Sequence, residues 1–169
     1  MSLINISRQI TIYGGTILFI FGLIGNFLNI VIFTSVRTYR QNSCVLYFLN
    51  SSIFNFIYIS INLSTRILSI GFGIDPTRTS LIWCKIRSFC IPTFAQIIVY
   101  STCLATISQF ILTSRNARIR QLATTKSTYK IIFILNLFWI LHGILPLIFF
   151  QITSDTKICT YITAGYAIY

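Results

Sequence analysis

The chain has 169 residues, of which 55% are hydrophobic and only 9% are charged, and its mean hydropathy is +0.80. A water-soluble domain of this size needs far more charged surface, so the composition excludes that class. The net charge of +11 comes from 13 Lys and Arg against two acidic residues. Short basic loops between membrane spans explain this excess without a nucleic-acid partner.

Four charge-free windows predict four membrane spans. Asp, Glu, Lys and Arg are absent from residues 9–36, 41–65, 88–114 and 131–154, which are windows of 28, 25, 27 and 24 residues. A helix needs about 20 apolar residues to cross a hydrocarbon core of roughly 30 Å. We therefore predict an all-α membrane protein with four transmembrane helices, near residues 9–35, 44–70, 82–113 and 129–152.

These helices form one transmembrane domain over residues 1–169. Residues 153–169 are predicted to be an extracellular loop followed by the start of a missing fifth helix, because the last ten residues become apolar again.

The basic residues predict an orientation. The first and third connections carry seven Lys and Arg, whereas the other side carries five together with both acids, Asp75 and Asp155. The positive-inside rule then places these two connections in the cytoplasm and the N-terminus outside the cell. Asn5 begins an Asn-Ile-Ser glycosylation triplet on that N-terminal segment, which is consistent with this orientation.

Polar residues form stripes on two of the predicted helices. At 100° per residue, one face of the second helix carries Ser51, Asn55, Asn62 and Arg66, and one face of the third carries Gln96, Tyr100 and Cys103. Polar groups cost free energy in lipid, so both faces must contact protein or water. They indicate either a ligand-accessible interior or hydrogen bonds that only join neighbouring helices.

Arg66 is the single charged residue within reach of a span. It follows Cys44 by 22 residues, which is about 33 Å of helix, so it belongs at the outer end. Two interpretations stay open. Its side chain extends to the lipid headgroups, or it is a pocket cation that receives an anionic ligand group.

The five cysteines fall into two groups. Cys84 and Cys159 lie on the predicted outer side, where a bridge would hold the last segment over the bundle. Cys44, Cys90 and Cys103 are expected to be free thiols. Neither these spacings nor the lone His142 predicts a metal site, and nothing resembles a catalytic pair. We therefore expect no enzyme, cofactor or metal.

Several short motifs occur in order along the four predicted helices. They are Gly25-Asn26 in the first, the Leu-Asn-Ser-Ser-Ile-Phe-Asn run of 49–55 in the second, Trp83-Cys84 opening the third, and Trp139 followed by Pro146 in the fourth. Over nearly its whole length the chain thus resembles the rhodopsin-like (class A) G-protein-coupled receptors. The resemblance implies the first half of a seven-helix bundle, a Cys84–Cys159 disulfide, and an intramembrane polar network of Asn26, Ser51, Asn55, Asn62 and Trp139.

The resemblance also implies a function. A receptor of this family lies in the plasma membrane as a multi-pass protein, binds an extracellular ligand such as a peptide, and signals to a heterotrimeric G protein when it is full length. Membrane lipid and a second receptor in a dimer are further expected partners. The candidate ligand pocket consists of Arg66, Ile91, Phe94, Ala95 and Gln96.

Two departures from the family bear on signalling. Asn55 occupies the place of an Asp that helps to hold a sodium ion, so no sodium site is expected. Ser108-Gln109-Phe110 stands where the family has Asp-Arg-Tyr, so the coupling motif is degenerate. A basic loop follows this motif, with Arg115, Arg118 and Arg120. Two interpretations stay open: the loop binds anionic lipid or an acidic partner, or it is an ordinary cytoplasmic loop without a specific partner.

The family's fifth to seventh helices are absent from this sequence. We expect either a fragment of a longer receptor or a degenerate four-span relative. A four-span scaffold or assembly partner of full-length receptors is the alternative function. A half-transporter is less well supported. Transporters usually carry ionisable residues near the midplane of the membrane, and no Asp, Glu, Lys or Arg lies deep in any predicted span.

Overall fold

The computed structural model of the chain describes residues 3–120, 123–152 and 159–161. As predicted, it is an α-helical protein with four helices long and apolar enough to cross a membrane. In chain order its helices are α1 (Leu3–Ser35), α2 (Arg37–Arg40), α3 (Ser43–Arg66), α4 (Pro76–Thr79), α5 (Leu81–Thr113), α6 (Ala117–Arg120) and α7 (Thr125–Phe149). The long helices α1, α3, α5 and α7 are the four spans.

The central helices of the bundle are α3 and α5. Helix α3 packs most extensively against α5 and next against α1, while α7 packs mainly on α5 and touches α3. Because α3 has three neighbours, polar side chains on more than one of its faces can find partners.

Ile97 and three small side chains form the α5 face that enters the bundle. Ile97, Ser101 and Ala105 are fully buried and Ser108 is nearly so, at a spacing of three or four residues that keeps them on one side of the helix. Small residues at such a seam let helix backbones approach closely. By contrast, α1 and α7 expose large apolar side chains along most of their length, as expected of surfaces that face lipid.

Polar residues cap three helices at their N-termini. The Asn42 side chain accepts a hydrogen bond from the Cys44 amide at 3.0 Å before α3. Ser80 and Thr124 do the same for α5 and α7, each at 3.3 Å. Such caps satisfy amides that the helix itself leaves free, so these residues fix where three of the spans begin.

A π-helical turn over Ile67–Gly71 ends the second span. Arg8 Nε donates to the Gly71 carbonyl oxygen at 2.6 Å, which satisfies a carbonyl near the helix end and joins α1 to this turn. Gly73 then adopts a positive φ of 73°, a conformation that favours glycine. The second span thus ends at Gly71, one residue after the predicted end at 70.

The fourth span ends at Phe149, three residues before the predicted end at 152. Residues Phe150–Ile152 instead form strand β1, which pairs antiparallel with β2 (Cys159–Tyr161), so that Phe150 lies opposite Tyr161 and Ile152 opposite Cys159. A short apolar run can form either a helix or a strand, and here the hydrogen-bonded pairing with β2 makes residues 150–152 a strand. The predicted start of a fifth helix falls on 162–169, outside the described residues.

Candidate functional site

A disulfide fixes the strand pair to the bundle. Cys84, in the first turn of α5, is bonded to Cys159 at the start of β2, with a Cα–Cα distance of 5.8 Å. The bridge spans 75 positions of the sequence, and Cys84 is completely buried. The disulfide between these two cysteines, which the family resemblance implied, is therefore present. We call this end of the bundle the disulfide end.

A cavity of about 300 Å³ lies at the disulfide end, beside the bridge. The α4 connection, the first two turns of α5 and the strand pair enclose it. Its described lining residues are Asp75, Thr77, Arg78, Cys84, Arg87, Ser88, Phe150 and Cys159. Two guanidinium groups and one carboxylate therefore face the same space, which we call the disulfide-end cavity.

Asp75 is already well supplied with partners. Its carboxylate accepts hydrogen bonds from the Thr77 amide at 3.1 Å and from the Thr77 hydroxyl, and it pairs with Arg78 Nε at 3.3 Å. Partial burial acts to raise the pKa of Asp75, but these hydrogen bonds and the charges of Arg78 and Arg87 outweigh it. The pKa of Asp75 consequently lies below its ordinary value.

Arg87 is the less satisfied cation of the cavity. The residue is half-buried, and its Nε is buried without a hydrogen-bond partner among the described residues. A buried donor without a partner costs free energy, and a guanidinium group pairs well with carboxylate or phosphate. The disulfide-end cavity therefore has the chemistry to accept an anionic group.

Asparagines join three spans at mid-bundle. Asn50 Nδ2 donates to Ser101 Oγ at 2.9 Å and to Asn136 Oδ1 at 3.2 Å, and Asn136 Nδ2 donates back to Asn50 Oδ1 at 2.9 Å. Helices α3, α5 and α7 thus meet in one network. Asn50 is not part of the predicted polar stripe, because it lies about 140° around α3 from Asn55 at 100° per residue.

A second amide pair joins α1 to α3. Asn55 Nδ2 donates to Asn26 Oδ1 at 3.2 Å, and Asn26 Nδ2 donates to the Gly22 carbonyl at 2.7 Å. Ser51 Oγ lies 3.4 Å from Thr102 Oγ1 on α5, whereas Asn62 donates to Tyr58 within α3 at 2.9 Å. Asn26 and Asn55, Ser51, and Asn62 therefore take part in three separate contacts.

Trp139 takes part in aromatic contacts. Its ring lies 5.0 Å from Tyr100 and 5.7 Å from His142, measured between centroids, and it also contacts Phe138. Tyr100, Gln96 and Cys103, the polar stripe predicted on α5, are all exposed in this four-span arrangement.

The predicted ligand pocket is not assembled as one site. Phe94 packs against Phe54 and Phe89, with centroid distances of 5.3 and 6.4 Å, and Ile91 and Ala95 are half-buried. Arg66 is exposed and is not among the residues that line the disulfide-end cavity. Gln96 instead lines a separate cavity between α5 and α7. Arg78 and Arg87, which appear in the sequence only as loop charges, line the disulfide-end cavity.

The opposite end of the bundle is held by loop hydrogen bonds. Ser43 Oγ donates to the Ala123 carbonyl at 2.9 Å, and Thr125 Oγ1 donates to the Gln41 carbonyl at 3.4 Å, so the first and third connections meet. Gln109 is exposed there, as is Phe110 at 74%, whereas Ser108 is buried and its hydroxyl has no partner among the described residues. The basic loop residues Arg115, Arg118 and Arg120 are exposed.

One further predicted residue can be located. Asn5 is exposed in the first turn of α1. Within the described residues there is no group of three His, Cys, Asp or Glu side chains that could hold a metal ion.

No protein-family model matches the chain, and no curated protein matches it. The similarity to rhodopsin-like receptors therefore rests on the motifs and contacts of this chain alone.

Proposed function

We propose that the chain is part of a rhodopsin-like G-protein-coupled receptor of the plasma membrane, with its N-terminus and disulfide end outside the cell. It binds an extracellular ligand with an anionic group, such as an acidic peptide, and transmits the signal to a heterotrimeric G protein on the opposite side. The observation that carries the proposal is the cation-lined cavity beneath a strand pair that the Cys84–Cys159 disulfide holds in place.

The location of the disulfide supports this orientation. Disulfides persist in oxidising compartments, and the exposed Arg115, Arg118 and Arg120 at the other end are typical of cytoplasmic loops. An extracellular ligand would then meet the disulfide-end cavity first.

The electrostatics of that cavity support an anionic ligand. Among the described lining residues, two guanidinium groups share one carboxylate: Asp75 pairs directly with Arg78 and attracts Arg87 only through its charge. A carboxylate on the ligand would give Arg87 a charge-assisted pair and a partner for its buried Nε. The cavity volume of about 300 Å³ suits one acidic side chain rather than a whole peptide.

Ligand binding tests the cavity directly. The chain in nanodiscs is titrated with a fluorescein-labelled pentaglutamate peptide, with pentalysine as the charge control. We expect Arg87→Gln to weaken pentaglutamate binding by about tenfold or more, since a buried charge pair is lost. Arg66→Gln is the matched control, because Arg66 lies outside the cavity, and it should bind as the wild type does. Loss of binding in Arg66→Gln alone would show that the cavity is not the ligand site.

The receptor assignment has its own test. We expect the transcript to encode three further apolar windows, the last ending in Asn-Pro-x-x-Tyr, and its full product to stimulate GTP exchange on a purified heterotrimeric G protein. A stop codon directly after Tyr169 would contradict signalling as the normal function.

One observation favours the alternative, a four-span assembly partner without signalling of its own. Gln109 is exposed at the cytoplasmic end where the family has the charged coupling residue, and its amide supplies no charge. Co-purification with an intact receptor at native expression levels, without GTP exchange, is the result that this alternative predicts.

A further inference from the structure

A second cavity, of about 250 Å³, lies between α5 and α7. Its described lining residues all come from these two helices: Pro92, Thr93 and Gln96 from α5, and Trp139, His142, Gly143 and Pro146 from α7. Gln96 and His142 are exposed, so the cavity opens sideways from the bundle. We call it the lateral cavity.

The depth of the lateral cavity follows from the helix lengths. His142 precedes the end of α7 at Phe149 by seven residues, which is about 10 Å of helix. On α5, Gln96 follows the first residue, Leu81, by 15 residues, which is about 22 Å of helix. The cavity therefore lies inside the uncharged part of both spans and below the ends of both helices. An opening at this level is reached from the lipid rather than from bulk water.

Thr93 is the least satisfied group in this cavity. Its side chain is only 3% exposed, and its hydroxyl has no hydrogen-bond partner among the described residues. Gly143 lies against that hydroxyl, and a β-carbon there would clash with both Thr93 and Phe89. Glycine thus lets α7 approach α5 closely. A buried hydroxyl without a partner costs free energy unless something else binds it.

Gln96 and His142 add two more polar groups. No hydrogen bond joins either side chain to another described residue, although the His142 ring contacts Trp139. Together with Thr93 they offer an amide, an imidazole and a hydroxyl, which supply both donors and acceptors. Polar groups at this depth are costly where they face only acyl chains.

We propose that the lateral cavity binds the head of a neutral acylglycerol lipid. Charged residues are absent from 88–114 and 131–154, so nothing in the cavity wall compensates a phospholipid headgroup. A glycerol head with free hydroxyls matches three separate hydrogen-bonding groups. The volume is below that of a pocket enclosing a whole drug-sized ligand, so the head enters while the acyl chain stays in the bilayer. This site does not depend on the anionic ligand, but it requires that any further helices of the proposed receptor leave the α5–α7 face open to the bilayer.

The test uses the full chain in phosphatidylcholine nanodiscs that contain a photoreactive, alkyne-bearing monoacylglycerol. We expect labelling of the 92–96 and 139–146 segments, read by mass spectrometry. Thr93→Val and Gln96→Leu should each lower it about fivefold, the value of one neutral hydrogen bond. Thr102→Val is the matched control: Thr102 is exposed on the same helix, its hydroxyl donates to the Ile98 carbonyl at 2.8 Å, and its loss should leave labelling unchanged.

Three results would overturn the proposal. The first is equal labelling of Thr93→Val and Thr102→Val, which means that water or nothing occupies the cavity. The second is equal or stronger labelling of the same segments by a photoreactive phosphatidylcholine or cholesterol. The third is a cross-link to a second copy of the chain from a photoreactive amino acid placed at Gln96. Thermal unfolding of each variant, followed by tryptophan fluorescence, separates loss of binding from loss of folding.

Discussion

The two ends of the bundle are held together by different forces. At the disulfide end, a covalent bond, a strand pair and the Arg8–Gly71 hydrogen bond fix the connections to the spans. At the opposite end, the described contacts between connections are two hydrogen bonds, from Ser43 and from Thr125. The connections at the disulfide end are thus joined covalently, whereas those described at the opposite end are joined by noncovalent contacts.

Of the changes predicted here to separate the two ends, removal of the disulfide should lower the stability of the chain most. Loss of a bridge that closes a long loop costs about 2–5 kcal/mol in small domains, so we expect Cys84→Ser and Cys159→Ser to lower the melting temperature strongly and by similar amounts. Circular dichroism of the chain in nanodiscs measures the melting temperature of each variant.

Cys103→Ser is the control for this prediction, because Cys103 is a free, exposed cysteine. We expect its melting temperature to stay within the error of the wild type. If both bridge variants melted like Cys103→Ser, the disulfide end would be no more tightly held than the opposite end.

The Asn50 network joins α3, α5 and α7 between the two ends, and breaking it should have an intermediate effect. Asn50→Leu leaves Ser101 and Asn136 without their partner on α3. Interhelical hydrogen bonds in membranes contribute about 0.6–1.7 kcal/mol each, so we expect a loss of roughly 1–2 kcal/mol. Denaturant unfolding in mixed micelles measures the free energy.

Asn29→Leu is the matched control, because Asn29 on α1 is exposed and no hydrogen bond of its side chain to a described residue is found. We expect it to be neutral or stabilising in micelles. A loss in Asn29→Leu equal to that in Asn50→Leu would mean that the network adds nothing beyond the general effect of replacing an amide in a span.

The spans could be predicted because one physical requirement determines them. A charge-free window of more than 20 residues has few other stable uses, and the structure has four helices of spanning length and composition where the windows lie. Their caps could also have been read from Asn42, Ser80 and Thr124, each of which stands just before a span.

The cavities could not be predicted in the same way. A stripe analysis assigns one polar face to each helix, but α3 contacts three neighbours, so Asn50 and Asn55 serve different partners on different faces. Arg87 looks like an ordinary flanking charge in the sequence, and only the fold of the α4 connection and the strand pair over it makes a cavity. Sequence spacing along one helix carries no information about which connection lies above it.

The smallest predicted difference between the two ends is in how their stability depends on pH. Since the pKa of Asp75 is lowered in the folded state, its ionised form stabilises the disulfide end at pH values above the ordinary 3.8. This contribution is lost as the pH falls below 3.8 and through the lower, folded-state pKa. The Asp75–Arg78 pair is partly exposed, so it contributes at most about 1 kcal/mol.

Comparison of the wild type with Asp75→Asn from pH 6 to pH 2.5 isolates this contribution. We expect the wild type to be slightly more stable above pH 4 and the two melting temperatures to converge as the pH falls, because protonation removes the charge that the variant lacks at every pH. The described residues of the opposite end include no Asp or Glu, so Ser43→Ala should change stability by the same small amount at every pH. Convergence at low pH in Ser43→Ala as well would indicate that acid acts on the whole bundle, and the difference between the two ends would then not be electrostatic.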